Sequence, residues 1–259
     1  MQTSGQLVKP AVEDFFCSCS DLSPLEASFF EKKESYTMYC TGVGFAPCNG
    51  VIDTNEELVA GEKDIQRIID RFTSRNLPFI WWTPNKLLEN YGFQFGGILT
   101  GVATDLSLNQ SFSEEAAPEV SIEDISTNEQ IATFSEIVGL GSQATSQFAE
   151  LNVEAAKSKT QIHLFASKGG VPVGSVTLSL QEYTAGIWNL SVLPDYRNQG
   201  VGKALVQAAL TEAKKNHYKT VMAVLMPKGM AWGIFKKLGF SEVSQFPFYV
   251  YGVAADKLE

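Results

Sequence analysis

Apolar residues at Ile65, Ile68, Ile69 and Phe72 recur at i, i+3, i+4 and i+7, which predicts an amphipathic helix over residues 62–75. Short apolar runs bounded by turn formers read instead as strands, over 35–45, over 79–82 (Phe-Ile-Trp-Trp, stopped by Pro84) and over 97–104. Leu87, Leu88 and Tyr91 predict a brief helix closed by Gly92, and the apolar clusters in 12–16 and 25–30 are expected as short helices. Residues 109–118 are small and polar up to Pro118 and predict a linker. Beyond it the pattern predicts a strand at 120–122, helices over 128–138 and 143–156, and a strand over 161–167. Gly169-Gly170 predicts a tight turn into a strand at 171–180, followed by a strand over 186–193. A helix over 201–216 follows, with Leu205, Ala208, Ala209 and Ala213 facing inward, then a strand at 220–225. A helix over 229–238 closed by Gly239 and a strand over 246–251 complete the chain.

The same order of parts occurs twice. In the second half a helix leads to the apolar run 219–225, then Pro227-Lys228, a helix, Leu238-Gly239-Phe240 and a strand. In the first half a helix leads to 77–82, then Pro84-Asn85-Lys86, a short helix, Tyr91-Gly92-Phe93 and a strand. A repeat of this length implies tandem copies, the first with about one helical turn less before its Gly-Phe. The expected division is a degenerate copy over 1–117 and an intact one over 118–259.

One stretch carries chemistry. Leu190-Ser191-Val192-Leu193-Pro194-Asp195-Tyr196-Arg197-Asn198-Gln199-Gly200-Val201-Gly202 reads as a strand end, a donor-rich loop and the opening of a helix. Pro194 ends the ladder. Gly200 and Gly202 allow close backbone approach, the helix N-terminus favours an anion, and Arg197 adds a cation. A phosphate-bearing ligand is the expectation. The first half has no Arg-x-x-Gly-x-Gly before its helix.

Arg-x-x-Gly-x-Gly on a strand-to-helix turn, with the Val-x-Pro-x-Tyr lead-in and Phe235-Lys236-Lys237-Leu238-Gly239-Phe240 downstream, resembles the acyl-CoA loop of the GNAT acetyltransferase superfamily. The resemblance covers 120–251 well and 40–105 weakly. It implies an α/β (α+β) chain of two GNAT-like domains, each a mixed, mostly antiparallel twisted sheet flanked by helices. It implies acetyl-CoA as acetyl donor, held by the strand backbone at Leu190, Ser191 and Val192 and by the loop Arg197, Asn198, Gln199, Gly200, Val201 and Gly202. The Val192 amide is the candidate to polarise the thioester carbonyl. The implied activity is direct transfer of the acetyl group to a primary amine on a small molecule, an amino acid or a protein. Many members place a tyrosine where this chain has Phe235, which has no proton to donate. The catalytic acid and base therefore stay open among Tyr183, Tyr249, Tyr251, Glu182, Glu212 and Glu242. His163 is expected in the core and His217 at a helix end. Of Trp81 and Trp82, which alternate across a strand, one is expected in the core and the other at an interface or acceptor pocket, which Trp188 also borders.

Composition narrows the alternatives. The 259 residues carry a formal charge of −9, which argues against a nucleic-acid binder that relies on bulk positive charge. Cys17, Cys19, Cys40 and Cys48 lack zinc-site spacing and read as reduced thiols, so no metal is expected. Residues 1–10 have no apolar core of a signal peptide, and no run is long enough to span a bilayer, so a cytoplasmic protein is expected, its oligomeric state open but compatible with a monomer. Two other functions compete: an acyl-CoA-binding regulatory or scaffolding module with little turnover, and a nucleotide-dependent oxidoreductase prompted by Gly139-Leu140-Gly141. The second is poor, because that Gly-x-Gly follows a helical pattern and has no third glycine at the right spacing.

Overall fold

The computed structural model describes residues 4–53, 61–108, 119–139, 142–226, 229 and 231–253. In chain order the first elements are α1 (Ser4–Leu22), β1 (Phe29–Lys32), β2 (Tyr36–Cys40), β3 (Asn49–Asp53), α2 (Glu62–Thr73), β4 (Phe79–Trp82) and β5 (Gln94–Asp105). Then come β6 (Ser121–Asp124), α3 (Asn128–Val138), α4 (Ser142–Ser158), β7 (Gln161–Lys168), β8 (Val171–Leu180) and β9 (Ala185–Val192). The last are α5 (Val201–Lys215), β10 (Thr220–Leu225), α6 (Trp232–Lys237) and β11 (Ser241–Tyr251). The fold is mixed α/β. The expected linker at 109–118, Leu140-Gly141 and Pro227-Lys228 lie outside the described residues.

Contacts divide the chain into two units, one of Met1–Phe15 with Thr100–Ser244, the other of Phe16–Leu99 with Gln245–Glu259. In the first, β6, β7, β8 and β9 run as an antiparallel meander, β10 adds parallel to β9, and the Thr100–Asp105 part of β5 adds antiparallel to β10. A parallel neighbour requires a crossover, and α5 supplies it. Leu205, Val206, Ala209, Leu210 and Ala213 bury that helix against Leu164, Val176, Leu178, Ile187, Val221 and Ala223 of the strands. Helix α3 starts at a capping box in which Thr127 and Gln130 satisfy each other's backbone amides.

The second unit repeats the scheme. Strands β1, β2 and β3 form an antiparallel meander, β4 adds parallel to β3 after the crossover helix α2, and Phe248–Tyr251 of β11 adds antiparallel to β4. The predicted stripe of α2, Ile65, Ile68, Ile69 and Phe72, is buried, with Phe72 stacked on Phe79 at 4.2 Å. Gly92 ends the short helix after β4 in the left-handed region at φ 86°, as its position in the sequence predicts.

Three expectations change. Residues 29–32 are strand β1 rather than part of a helix, and β3, which the apolar pattern did not reveal, pairs along its whole length with β2. The helix expected over 229–238 is confined to α6. Both tryptophans of β4 are core residues: Trp81 donates to Asp53 at 2.8 Å and Trp82 to the Tyr39 hydroxyl at 3.1 Å, each with less than a tenth of its surface exposed. A strand buried on both faces has no side left for an open pocket, so the acceptor-pocket role expected of one of them falls away.

Candidate functional site

The site is built where β9 leaves its neighbours. Parallel pairing with β10 covers Ala185, Gly186 and Ile187 and goes no further, while β9 itself continues to Val192. On the other side β8 stays paired to the end, matching Gly174 to Val192 and Ser175 to Ser191. Residues 188–192 therefore keep the ladder to β8 and have none to β10. An extended polar chain can add to such an edge as a strand would.

A bulge sets the aim of that edge. Between Ser175 and Thr177 on β8 there is one residue, and between Ser191 and Trp188 on β9 there are two, so Asn189 is the extra one. It lies in the left-handed region at φ 53°, which asparagine tolerates better than most residues. Its carboxamide donates to Thr177 Oγ1 at 3.1 Å. Beyond the bulge Leu190 and Val192 pack towards the apolar cluster under α5.

After Val192 the chain makes one turn of 3-10 helix at Pro194–Tyr196, then Asn198 at φ 60° and Gly200 at φ 85° turn it into α5. Gly200 is the N-cap and offers no side chain, so the first-turn amides of α5 receive no capping acceptor from it. Arg197 is exposed and anchored by its Nε, which donates to the Val192 carbonyl at 3.0 Å. Gln199 donates to the Asp195 carbonyl at 2.8 Å and accepts from Lys168 at 2.8 Å. The loop thus combines uncapped helix amides with Arg197, a donor set for an anion, while Lys168 is paired with the Glu119 carboxylate at 3.3 Å. All nine residues singled out from the sequence, Leu190, Ser191, Val192, Arg197, Asn198, Gln199, Gly200, Val201 and Gly202, lie on this continuous strand-loop-helix.

Gly174 and Gly202 let the parts pack. A Cβ on Gly174 would stand 2.9 Å from the Ser191 carbonyl and 3.0 Å from both Leu205 Cδ1 and Val201 Cγ1. Gly174→Ala is expected to lower stability by about 1–3 kcal/mol, because backbone of β9 and two core side chains would all have to give way. Urea unfolding measures it, and a midpoint equal to that of the parent chain would show that β9 yields freely here.

Residues 128–240 match the acetyltransferase (GNAT) family. Human N-acetyltransferase 8B is 33% identical over 89 residues, which are 34% of this chain and 38% of that protein, so the match spans under half of the curated relative's length. Among solved structures, a GCN5-related N-acetyltransferase from Kribbella flavida superposes with a TM-score of 0.66 at 10% identity, over 96% of each chain. A tandem GNAT protein from the clavulanic acid biosynthesis pathway, solved without AcCoA, gives a TM-score of 0.55 at 11% identity, again over 96% of each chain. At such identities the two structures share the fold with this chain.

The side chains that could transfer a proton lie in varied surroundings. Phe235, at the position where many GNAT enzymes hold a tyrosine, is fully buried and packs edge-on against Phe240 at 4.9 Å. Tyr249 is buried, its hydroxyl 3.4 Å from the Glu89 carboxylate, and burial followed by Glu89 raises its pKa. Tyr251 packs against Phe79 and Phe93. Tyr183 is exposed in the β8–β9 turn, Glu182 lies beside it, and Glu242 is exposed on β11. Glu212 pairs with Lys215 at 2.5 Å on α5, and His217 sits at φ 65° just beyond that helix. His163 is buried as expected, and desolvation alone lowers its pKa to about 4. Among the described residues no cluster of His, Cys, Asp and Glu is arranged to hold a metal, and no helix is long and apolar enough to cross a membrane.

Proposed function

We propose that the chain is an N-acetyltransferase that takes acetyl-CoA along the free edge of β9 and transfers its acetyl group to a primary amine. The observation that carries the reading is the parting of β9 from β10 after Ile187, immediately ahead of an uncapped helix N-terminus and inside the residues that match the GNAT family. The pantetheine arm, extended and amide-bearing, suits the backbone of Leu190, Ser191 and Val192. The pyrophosphate suits the amides from Arg197 to Gly202. The amine nitrogen attacks the thioester carbonyl, polarised by the Val192 amide, the C–S bond breaks, and the thiolate takes up the proton that the amine gives up. The human relative, an N-acetyltransferase by name, supports transfer to nitrogen.

The two contact units support a tandem reading. Each has an antiparallel meander, a crossover helix, a parallel strand, a short helix and a long strand, in that chain order. The first copy, within 1–117, ends in β5, whose second part pairs inside the other unit; the second, within 118–259, ends in β11, whose last part pairs with β4. Two copies that exchange their last strands account for units that do not follow chain order. The likeness to a tandem GNAT protein supports this. The first copy is degenerate as a cofactor site: Thr-Asn-Glu-Glu-Leu-Val-Ala leads to α2 with two carboxylates and no cation, and β3 pairs with β2 without a bulge.

The buried Phe235 favours one second reading, a CoA-binding regulatory module with little turnover. Calorimetry with acetyl-CoA followed by thiol release with a panel of amines, amino acids, polyamines and N-terminal peptides separates them. Binding near micromolar concentration and turnover with at least one amine are expected. Binding with no turnover on any acceptor supports the regulatory module, and no binding overturns both.

A further inference from the structure

The sheet face beneath α3 is unusually polar for a core. His163 of β7 lies opposite Thr177 of β8, and Ser175, Thr177 and Ser179 alternate onto that face, every one of them buried. Phe134 of α3 covers His163, the rings 5.0 Å apart. The opposite face of the same strands is apolar, with Leu164, Ala166, Val176 and Leu178. Polar groups are costly in such a place unless they are paired. Their bonds run to one segment: Ser179 to the Gly186 carbonyl at 3.4 Å, Trp188 to Ser179 at 2.9 Å, Ser175 to the Asn189 carbonyl at 3.4 Å, and Asn189 to Thr177 at 3.1 Å.

His163 completes the row, with Nδ1 3.1 Å from Thr177 Oγ1. Thr177 Oγ1 also accepts from the Asn189 carboxamide, so one hydroxyl joins the imidazole to the bulge. Nε2 is buried without a hydrogen-bond partner among the described residues. A residue that leaves a ring nitrogen unsatisfied is a poor choice for stability alone.

We propose that His163, Thr177 and Asn189 are positioning residues that hold the β9 bulge, and through it fix which atoms of residues 190–192 face acetyl-CoA. The inference rests on the reading of that edge as the acetyl-CoA site. Without the extra residue, strict alternation from Ile187 would drive Asn189 into the apolar cluster under α5 and turn Leu190 and Val192 to the polar face, reversing the edge. The polar row makes the bulged register the satisfied one, because the Asn189 amide finds an acceptor only when its side chain is on the Thr177 side.

Thr177→Val keeps the shape and removes the hydroxyl; Thr177→Ser keeps the hydroxyl; Asn189→Gly keeps the left-handed backbone and removes the amide. Acetyl-CoA affinity is read by calorimetry well below the melting temperature of each variant, and amide exchange at residues 188–192 by NMR. Thr177→Val is expected to weaken acetyl-CoA about tenfold and to speed exchange at 188–192 while leaving exchange across β7 unchanged. Asn189→Gly should act in the same direction, and Thr177→Ser should restore affinity to within about threefold of the parent chain. If the parent chain binds acetyl-CoA and both Thr177→Val and Asn189→Gly bind it equally well, the positioning role is wrong and the site reading stands. If the parent chain does not bind, the site reading falls and takes this role with it. A Thr177→Val chain that does not fold leaves Asn189→Gly to decide.

Discussion

Gly200→Glu is expected to weaken acetyl-CoA binding by at least about 100-fold while the chain stays folded. Gly200 is exposed, caps α5 in the left-handed region at φ 85°, ψ −10°, and contributes no side chain to the loop. A glutamate there would hold a carboxylate beside the amides proposed for the pyrophosphate. Two like charges about 4 Å apart repel by about 4 kcal/mol at the effective dielectric of a protein surface, and a 100-fold loss needs only about 2.7 kcal/mol. The left-handed backbone adds a second cost of roughly 1–2 kcal/mol for a residue with a Cβ, which falls on folding rather than on binding. Gly200→Asn separates the two, since asparagine tolerates that conformation and is neutral. Calorimetry with acetyl-CoA on both variants, with urea unfolding alongside, reads the difference. Equal affinities for the Glu and Asn variants would place the pyrophosphate elsewhere.

The elements were legible where one pattern dominated. The stripe of α2, the run Phe79–Trp82 and the glycines at 92, 169, 170 and 239 each state a local preference that tertiary structure did not override, and all four glycines take positive φ. Residues 25–30 misled because Phe29 and Phe30 satisfy a helical cluster and a strand equally well; pairing with Cys40 and Tyr39 decided for the strand. Strand β3, Asn-Gly-Val-Ile-Asp, has polar or small residues at three of its five positions and gave no strand signal. Its burial comes from neighbours: Asn49 donates to the Val43 and Pro78 carbonyls, and Asp53 accepts from Trp81.

The loop from Arg197 to Gly202 could be read because glycine spacing before an amphipathic helix is a local signature. The bulge ahead of it also leaves a mark in the sequence. Ile187, Leu190 and Val192 are the inward apolar positions of β9, spaced three and then two apart, so the period of two breaks at Trp188-Asn189. That break, with an asparagine at it, is the sequence mark of an extra residue. His163 and Thr177 could not be joined to it from sequence, because they are brought together by strand register. The pairing of Thr100–Asp105 with β10 and of Phe248–Tyr251 with β4 was beyond reach for the same reason: β5 and β11 each read as one continuous strand, and a strand's own residues do not name its partner.

The second large effect lies in the response to acid. His163 is buried beside Phe134 and Thr177, and desolvation lowers its pKa from 6.5 to about 4. The unfolded chain therefore binds a proton at this residue at pH values where the folded chain does not. Its contribution to stability is fully present above the unfolded value, declines as pH falls through the window between about 6.5 and 4, and levels off below. A shift of this size corresponds to a loss of about 3 kcal/mol between pH 7 and pH 4, a large part of the margin of a typical domain. His163→Leu, which cannot take up the proton, should lose correspondingly less over that range. The carboxylates titrate in both proteins and cancel in the difference. Urea unfolding at several pH values supplies both curves. Curves that stay parallel from pH 7 to pH 4 would mean that the imidazole accepts its proton in the folded state at no cost, with water or an acceptor reaching Nε2. An imidazole so solvated could not serve as the fixed end of the row that holds Asn189.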